Sequence, residues 1–162
     1  MRVILVRHGE AADEPYPEIL RPLTFSGRKA VRRLARKIAN LDLRVDRIVS
    51  SPLTRAVQTA EILLCGLRKK HPVREVDCRI ELASDFLPLP FGREGFLSFL
   101  AEVFPDNLLI VGHEPELLSL ARHLSTDSSG TDLPSGIKKG AGLLFDWDPE
   151  TGGIFHGRIS PR

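Results

Sequence analysis

The chain has 162 residues, 42% of them hydrophobic and 27% charged, the composition of an ordinary globular domain, which excludes a disordered or fibrous protein. Twenty-three basic against 21 acidic residues leave a net charge of +2, too even a balance to mark a nucleic-acid-binding surface. No apolar run reaches the roughly 18 to 20 residues that span a bilayer, and the run after Met1 is too short for a signal-peptide core. One domain covering residues 1–162, cytoplasmic and without nucleic-acid or membrane partners, is therefore expected. Cys65 and Cys78 show neither CxxC nor Cys/His spacing, so packing thiols are expected in place of a disulfide or a zinc site.

In chain order, Arg2 to Val6 is a short Val/Ile/Leu run of the kind found in strands buried on both faces. After a loop rich in Pro and acid, Thr24 is placed to cap a helix to about Asn40, with Val31, Leu34, Ala35 and Ile38 at helical spacing. The opposite face carries Arg28, Lys29, Arg32, Arg33, Arg36 and Lys37, read as a solvated face, with docking of an acidic partner as the lesser alternative. Arg47 to Ser50 predicts a second strand, followed by a helix from about Leu53 to Leu67. Val73 to Val76 is read as a third strand and Gly95 to Phe104 as a helix. Leu108 to Val111 predicts a buried strand, and Pro115 opens a helix through Leu124. Beyond a loop at Asp127 to Ser135, Ala141 to Trp147 and Ile154 to Ile159 predict an antiparallel hairpin. The alternation gives the fold class: α/β, a three-layer sandwich with a central, mostly parallel sheet, helices on both faces and a C-terminal antiparallel hairpin.

In such sheets ligands bind beyond the carboxyl ends of the strands. Those positions hold Arg7-His8-Gly9, then Ser50-Ser51-Pro52-Leu53-Thr54-Arg55, then Gly112-His113-Glu114-Pro115. Two arginines can grip a tetrahedral oxyanion with planar, permanently charged forks, and a neutral imidazole can attack phosphorus. A second histidine and helix N-termini after Pro52 and Pro115 would stabilise the growing negative charge. The set suits phosphoryl transfer and demands neither metal nor cofactor. His71, His123 and His156 read as surface or capping residues.

These residues also carry a resemblance. Arg7-His8-Gly9-Glu10, Arg21-Pro22-Leu23-Thr24 with Gly27, Ser50-Ser51-Pro52-Leu53-Thr54-Arg55-Ala56 with Gln58-Thr59-Ala60, and Gly112-His113 together resemble the histidine phosphatase superfamily, and within it the short SixA-type phosphohistidine phosphatases. The resemblance implies that His8 is the phosphoacceptor and that Arg7, Arg55 and His113 complete a phosphate pocket. It suggests Glu81, in Arg79-Ile80-Glu81-Leu82, as an acid for ester leaving groups, with Glu10 and Glu18 as weaker substitutes and a solvated loop carboxylate as the alternative for Glu81. Arg21 is a candidate substrate contact. The implied activity is removal of phosphate from a phosphohistidine-containing protein through a covalent intermediate on His8. The alternatives are a phosphomonoesterase or mutase acting on a phosphorylated small molecule, or a phosphoprotein-binding module without turnover. His8-x-Glu10 lacks the Pro-Cys-x-x-Cys of a zinc deaminase, His113-Glu114 is followed by Leu at position 117 and so is not HExxH, and no phosphate-binding Gly-x-x-x-x-Gly-Lys loop is present.

Overall fold

The computed structural model describes residues 1–41, 43–70, 78–82, 107–125, 133–148 and 150–162. Six strands form one sheet: β1 (Arg2–Arg7), β2 (Arg47–Ser50), β3 (Arg79–Leu82), β4 (Asn107–Gly112), β5 (Gly142–Asp148) and β6 (Gly152–Ile159). Their order is β3-β2-β4-β1-β5-β6. The first three pairings are parallel and the last two antiparallel, so the expected parallel centre and C-terminal hairpin are both observed. Among the described residues three helices, α1 (Phe25–Ala39), α2 (Thr54–Lys70) and α3 (Glu116–Leu124), follow β1, β2 and β4, and one 3-10 turn spans Glu18–Leu20.

The central strands are continuous apolar runs because both of their faces are covered. Side chains alternate across the sheet, and the core divides accordingly. Ile4, Ile48 and Leu109 pack with Val31, Leu34, Ile38, Ala60 and Leu63 of α1 and α2 on one face. Val3, Leu5, Val49 and Ile110 pack with Leu117, Leu120 and Leu124 of α3 and with Phe145 and Trp147 on the other. Each fully buried Val, Leu or Ile contributes roughly 1.5 to 3 kcal/mol of hydrophobic stabilisation, so the two layers hold the sheet from both sides.

Thr24 caps α1 as expected, its hydroxyl accepting from Gly27 N at 3.0 Å. Gly27 itself is required by contact: a Cβ there would stand 2.2 Å from the carbonyl oxygen of Glu10. The chain leaving β1 thus lies directly on the first turn of α1, which closes the loop that carries the site.

Two expectations need correction. Residues 79–82 form β3, paired with β2 in parallel register, so Glu81 stands on a strand, which corrects the alternative of a loop carboxylate. The alternation Arg-Ile-Glu-Leu suits a strand that, among the described residues, pairs on one side alone. The strand expected at Val73 to Val76, the helix expected at Gly95 to Phe104 and most of the loop expected from Asp127 lie outside the described residues. Cys78 packs in the core, whereas Cys65 is exposed on α2, against the expectation that both thiols pack.

Candidate active site

Register builds the site. Arg7 lies opposite Gly112 and Ser50 opposite Val111, so the residues that follow β1, β2 and β4 leave the sheet side by side. The ladder continues beyond the strands, with His8 N donating to Gly112 O and Ser51 N to Val111 O, both at 3.0 Å. Because successive side chains alternate, Arg7 and His8 approach from opposite faces. His8 faces α2 and Arg7 faces the segments 113–115 and 136–138.

His8 is buried, with 7% of its surface exposed. Its Nδ1 lies 2.6 Å from Gly9 O; a carbonyl only accepts, so Nδ1 carries the proton and Nε2 keeps its lone pair. Arg55 Nε donates to that Nε2 at 3.3 Å. Burial, more than the neighbouring His113, Arg55 and Arg7 charges, lowers the His8 pKa to about 4, so the imidazole is neutral near pH 7. The His113 ring centroid is 4.9 Å away, and its Nε2 is 2.7 Å from Ser51 Oγ. Burial first, then Arg55, lowers its pKa to about 4 as well.

Both arginines are held from behind. Arg7 Nη1 donates to Glu114 Oε2 at 2.8 Å and to Ile137 O at 2.7 Å. Its Nε is buried with no hydrogen-bond partner among the described residues. Arg55, in the first turn of α2, donates through Nη1 to Glu18 O at 2.8 Å and through Nη2 to Glu18 Oε1 at 2.7 Å.

The backbone around His8 is fixed by the rest of the motif. Thr59 Oγ1 accepts from Gly9 N at 3.1 Å and donates to Arg55 O at 2.7 Å, tying the histidine loop to α2. Gln58 Oε1 accepts from Leu23 N at 2.8 Å and ties down the Arg-Pro-Leu-Thr segment. Gly140, at φ +73°, donates its N–H to both Arg7 O and His8 O. That left-handed conformation favours glycine.

Four of the six candidate residues therefore converge: Arg7, His8, Arg55 and His113. Glu81 does not join them; its carboxylate pairs with Arg47 Nε at 3.1 Å. It also stands opposite Val49, on the α3 face of the sheet, whereas His8 faces α2. Among the described residues Arg21 reaches the site through Glu18, donating to Glu18 Oε2 and Ala12 O at 2.7 Å each and pairing with Asp13. Hydrogen bonds from Ser26 and Thr24 hold the Glu10 carboxyl below the usual carboxylate range, and the Arg21 contact does the same to Glu18. Both are charged near pH 7, unlike a proton donor. His156 pairs with Asp146 at 2.7 Å in the hairpin. Among the described residues no group of three or more His, Cys, Asp or Glu is placed to hold a metal ion.

Glu114 and Thr59 escaped the sequence reading of site roles, and Glu18 entered it only as a possible acid. Glu114 follows His113 directly, but its contact with Arg7 depends on the β1–β4 register, which no local pattern discloses. Glu18 and Arg21, three residues apart, gave the one local signal of a pair.

This geometry agrees with the motifs, and the chain belongs to the histidine phosphatase superfamily: the model of its branch 1 matches residues 3–82. An uncharacterized protein of Picosynechococcus is 36% identical over 151 residues, which cover 89% of this chain and 83% of the relative. The phosphohistidine phosphatase SixA of Escherichia coli is 26% identical over 169 residues, covering 99% and 94%. The structure of a protein histidine phosphatase SixA complexed with tungstate superposes with a TM-score of 0.80 at 23% identity, over 99% of this chain and 97% of that one. That likeness establishes the shared fold. No helix among the described residues is long and apolar enough to cross a membrane.

Proposed function

We propose that the protein is a phosphohistidine phosphatase that works through a phosphorylated His8. The observation that supports this reading best is the pairing of His8 Nδ1 with Gly9 O at 2.6 Å, which leaves the unprotonated Nε2 aimed at the Arg55 side of the site. The phosphate of the substrate sits between Arg7, Arg55 and His113, whose donors match its oxygens. As the phosphate enters, Arg55 Nε–H turns from Nε2 to a phosphate oxygen, and the freed Nε2 lone pair attacks phosphorus; the bond to the substrate's imidazole nitrogen breaks, and that imidazole takes a proton from water. Water then attacks the phosphorus on His8, the Nε2–P bond breaks with its electron pair returning to Nε2, and inorganic phosphate leaves. The N-terminal turns of α2 and α3 add partial positive charge on the same side of the sheet. Similarity to the Escherichia coli SixA protein, phosphohistidine phosphatase by name, supports phosphohistidine on a partner protein over a small phosphomonoester. The placement of Glu81 against Arg47 supports it too, because an imidazole leaves phosphorus with less acid help than an ester oxygen.

The test is a quench experiment with a phosphohistidine protein, phosphoramidate and a sugar phosphate offered to one preparation in the presence of chelator. Acid-labile, base-stable label on His8 and preference for the phosphoramidate bond are expected. Undiminished label or turnover in His8→Ala would sink the covalent route, and preference for the sugar phosphate would favour the phosphomonoesterase.

A further inference from the structure

We propose that Glu18 is a positioning residue for this reaction: braced by Arg21, its carboxylate fixes the Arg55 guanidinium against His8. The inference rests on His8 being the phosphoacceptor. A guanidinium has five N–H donors. Arg55 gives Nε–H to His8 Nε2, one Nη1–H to the backbone oxygen of Glu18 and one Nη2–H to Glu18 Oε1. One N–H on each terminal nitrogen is left to meet phosphate oxygens. Glu18 thus fixes the far edge of the fork and leaves its working edge turned to the nucleophile.

The brace behind Glu18 is equally specific. Its second oxygen accepts from Arg21 Nη1, and Arg21 is itself anchored on Ala12 O and Asp13. One carboxylate therefore bridges two arginines, the outer one tied to the loop and the inner one to the site.

Glu18 sits on a 3-10 turn that buries none of its three residues. Ile19 and Leu20 are 62% and 57% exposed, so among the described residues no buried apolar side chain of the turn anchors it. Its ionic contacts to Arg55 and Arg21 perform that task. Removing the carboxylate consequently takes nothing from the core; although Arg55 is buried, Glu18 itself is 63% exposed, so water can replace it at Nη2 and the loss of global stability is small. A small displacement of a substrate-gripping group, by contrast, can slow chemistry as much as about 100-fold. Glu18 should therefore matter far more to rate than to folding.

The experiment measures single-turnover phosphorylation of His8 by phosphoramidate in the wild type, Glu18→Ala, Glu18→Gln, Arg55→Ala and the double variant Glu18→Ala/Arg55→Ala. Glu18→Ala is expected to slow the step roughly 10- to 100-fold with a nearly unchanged melting temperature. Glu18→Gln, which keeps a carbonyl oxygen for Arg55, should be slowed less. In the Arg55→Ala background Glu18→Ala should change the rate by less than about twofold, because its effect passes through the missing guanidinium. Nitrogen-15 spectra supply a reading independent of rate: the Arg55 Nε–H, protected in the wild type, should exchange faster in Glu18→Ala. Tighter inhibition by inorganic phosphate together with an undiminished rate in Glu18→Ala would overturn the proposal and make Glu18 an occluding anion. Equal slowing with and without Arg55, or an unaltered Arg55 Nε–H, would overturn it as well. Absence of label on wild-type His8 would instead refute the phosphoacceptor reading beneath it.

Discussion

Lowering the pH separates this site from one built on an ordinary surface histidine. In the proposed mechanism the Nε2 of His8 must be unprotonated to attack, and burial has moved the pKa of this ring from 6.5 to about 4. At pH 5 a histidine titrating at 4 is about 90% neutral, whereas one titrating at 6.5 is about 3% neutral. The structure thus predicts about thirtyfold more competent nucleophile at pH 5 than an unperturbed imidazole would offer. The acid limb of kcat/KM, which reports the free enzyme, should fall near pH 4. The assay is single-turnover labelling of His8 between pH 3.5 and 8, with spontaneous loss of label and titration of the donor determined in parallel. Proton titration of the His8 ring by NMR gives the same quantity without substrate. A limb near pH 6.5, matched by the His8 resonance, would refute the claim that burial keeps this imidazole neutral.

Stability should follow the same groups: His8 and His113 titrate near 4 in the fold and near 6.5 when unfolded, so below 6.5 the unfolded chain gains protons that the native state refuses. Urea midpoints should decline as pH falls from 6.5 towards 4, and the double variant His8→Gln/His113→Gln should flatten that slope. Gly27→Ala should destabilise the fold by about 1 to 3 kcal/mol, since its Cβ would meet Glu10 O at 2.2 Å; an unchanged urea midpoint would count against that contact. Glu81→Gln should leave phosphohistidine turnover nearly intact, because its carboxylate is engaged with Arg47. A loss confined to phosphomonoesters, of about 10²- to 10⁴-fold, would instead reinstate it as the acid for that class.

Much of the layout was legible because it is written in local pattern. The runs at Arg2 to Val6 and Leu108 to Val111 have the continuous apolar character of doubly covered strands, and Thr24 stands where an N-cap is needed. Helices α1 and α3 begin where Thr24 and Pro115 indicate, and α2 begins one residue after the expected Leu53. What escaped was written in polar alternation. Arg79–Leu82 carries one charge for every apolar residue, and a segment so composed resembles a loop until its pairing with β2 is known.

The same division holds in the site. His8, Arg7, Arg55 and His113 could be singled out because each ends or follows a strand or opens a helix, and the rule that ligands bind beyond strand carboxyl ends needs no knowledge of strand order. The residues that aim them obey no such rule. Glu114 meets Arg7 only because β4 lies beside β1, Thr59 meets Gly9 only because α2 packs over that loop, and Glu18 meets Arg55 from a turn that buries none of its residues. Charged groups that touch phosphate must be of particular types, so their identity is visible one residue at a time. Groups that orient them need only an acceptor or a donor at a certain point in space, and many residue types supply one. Orientation is therefore encoded in register and packing, and it is there that the rate of such a site is set: a guanidinium free to swing on its long stem would bind phosphate at many angles, and the attack proposed for His8 follows just one of them.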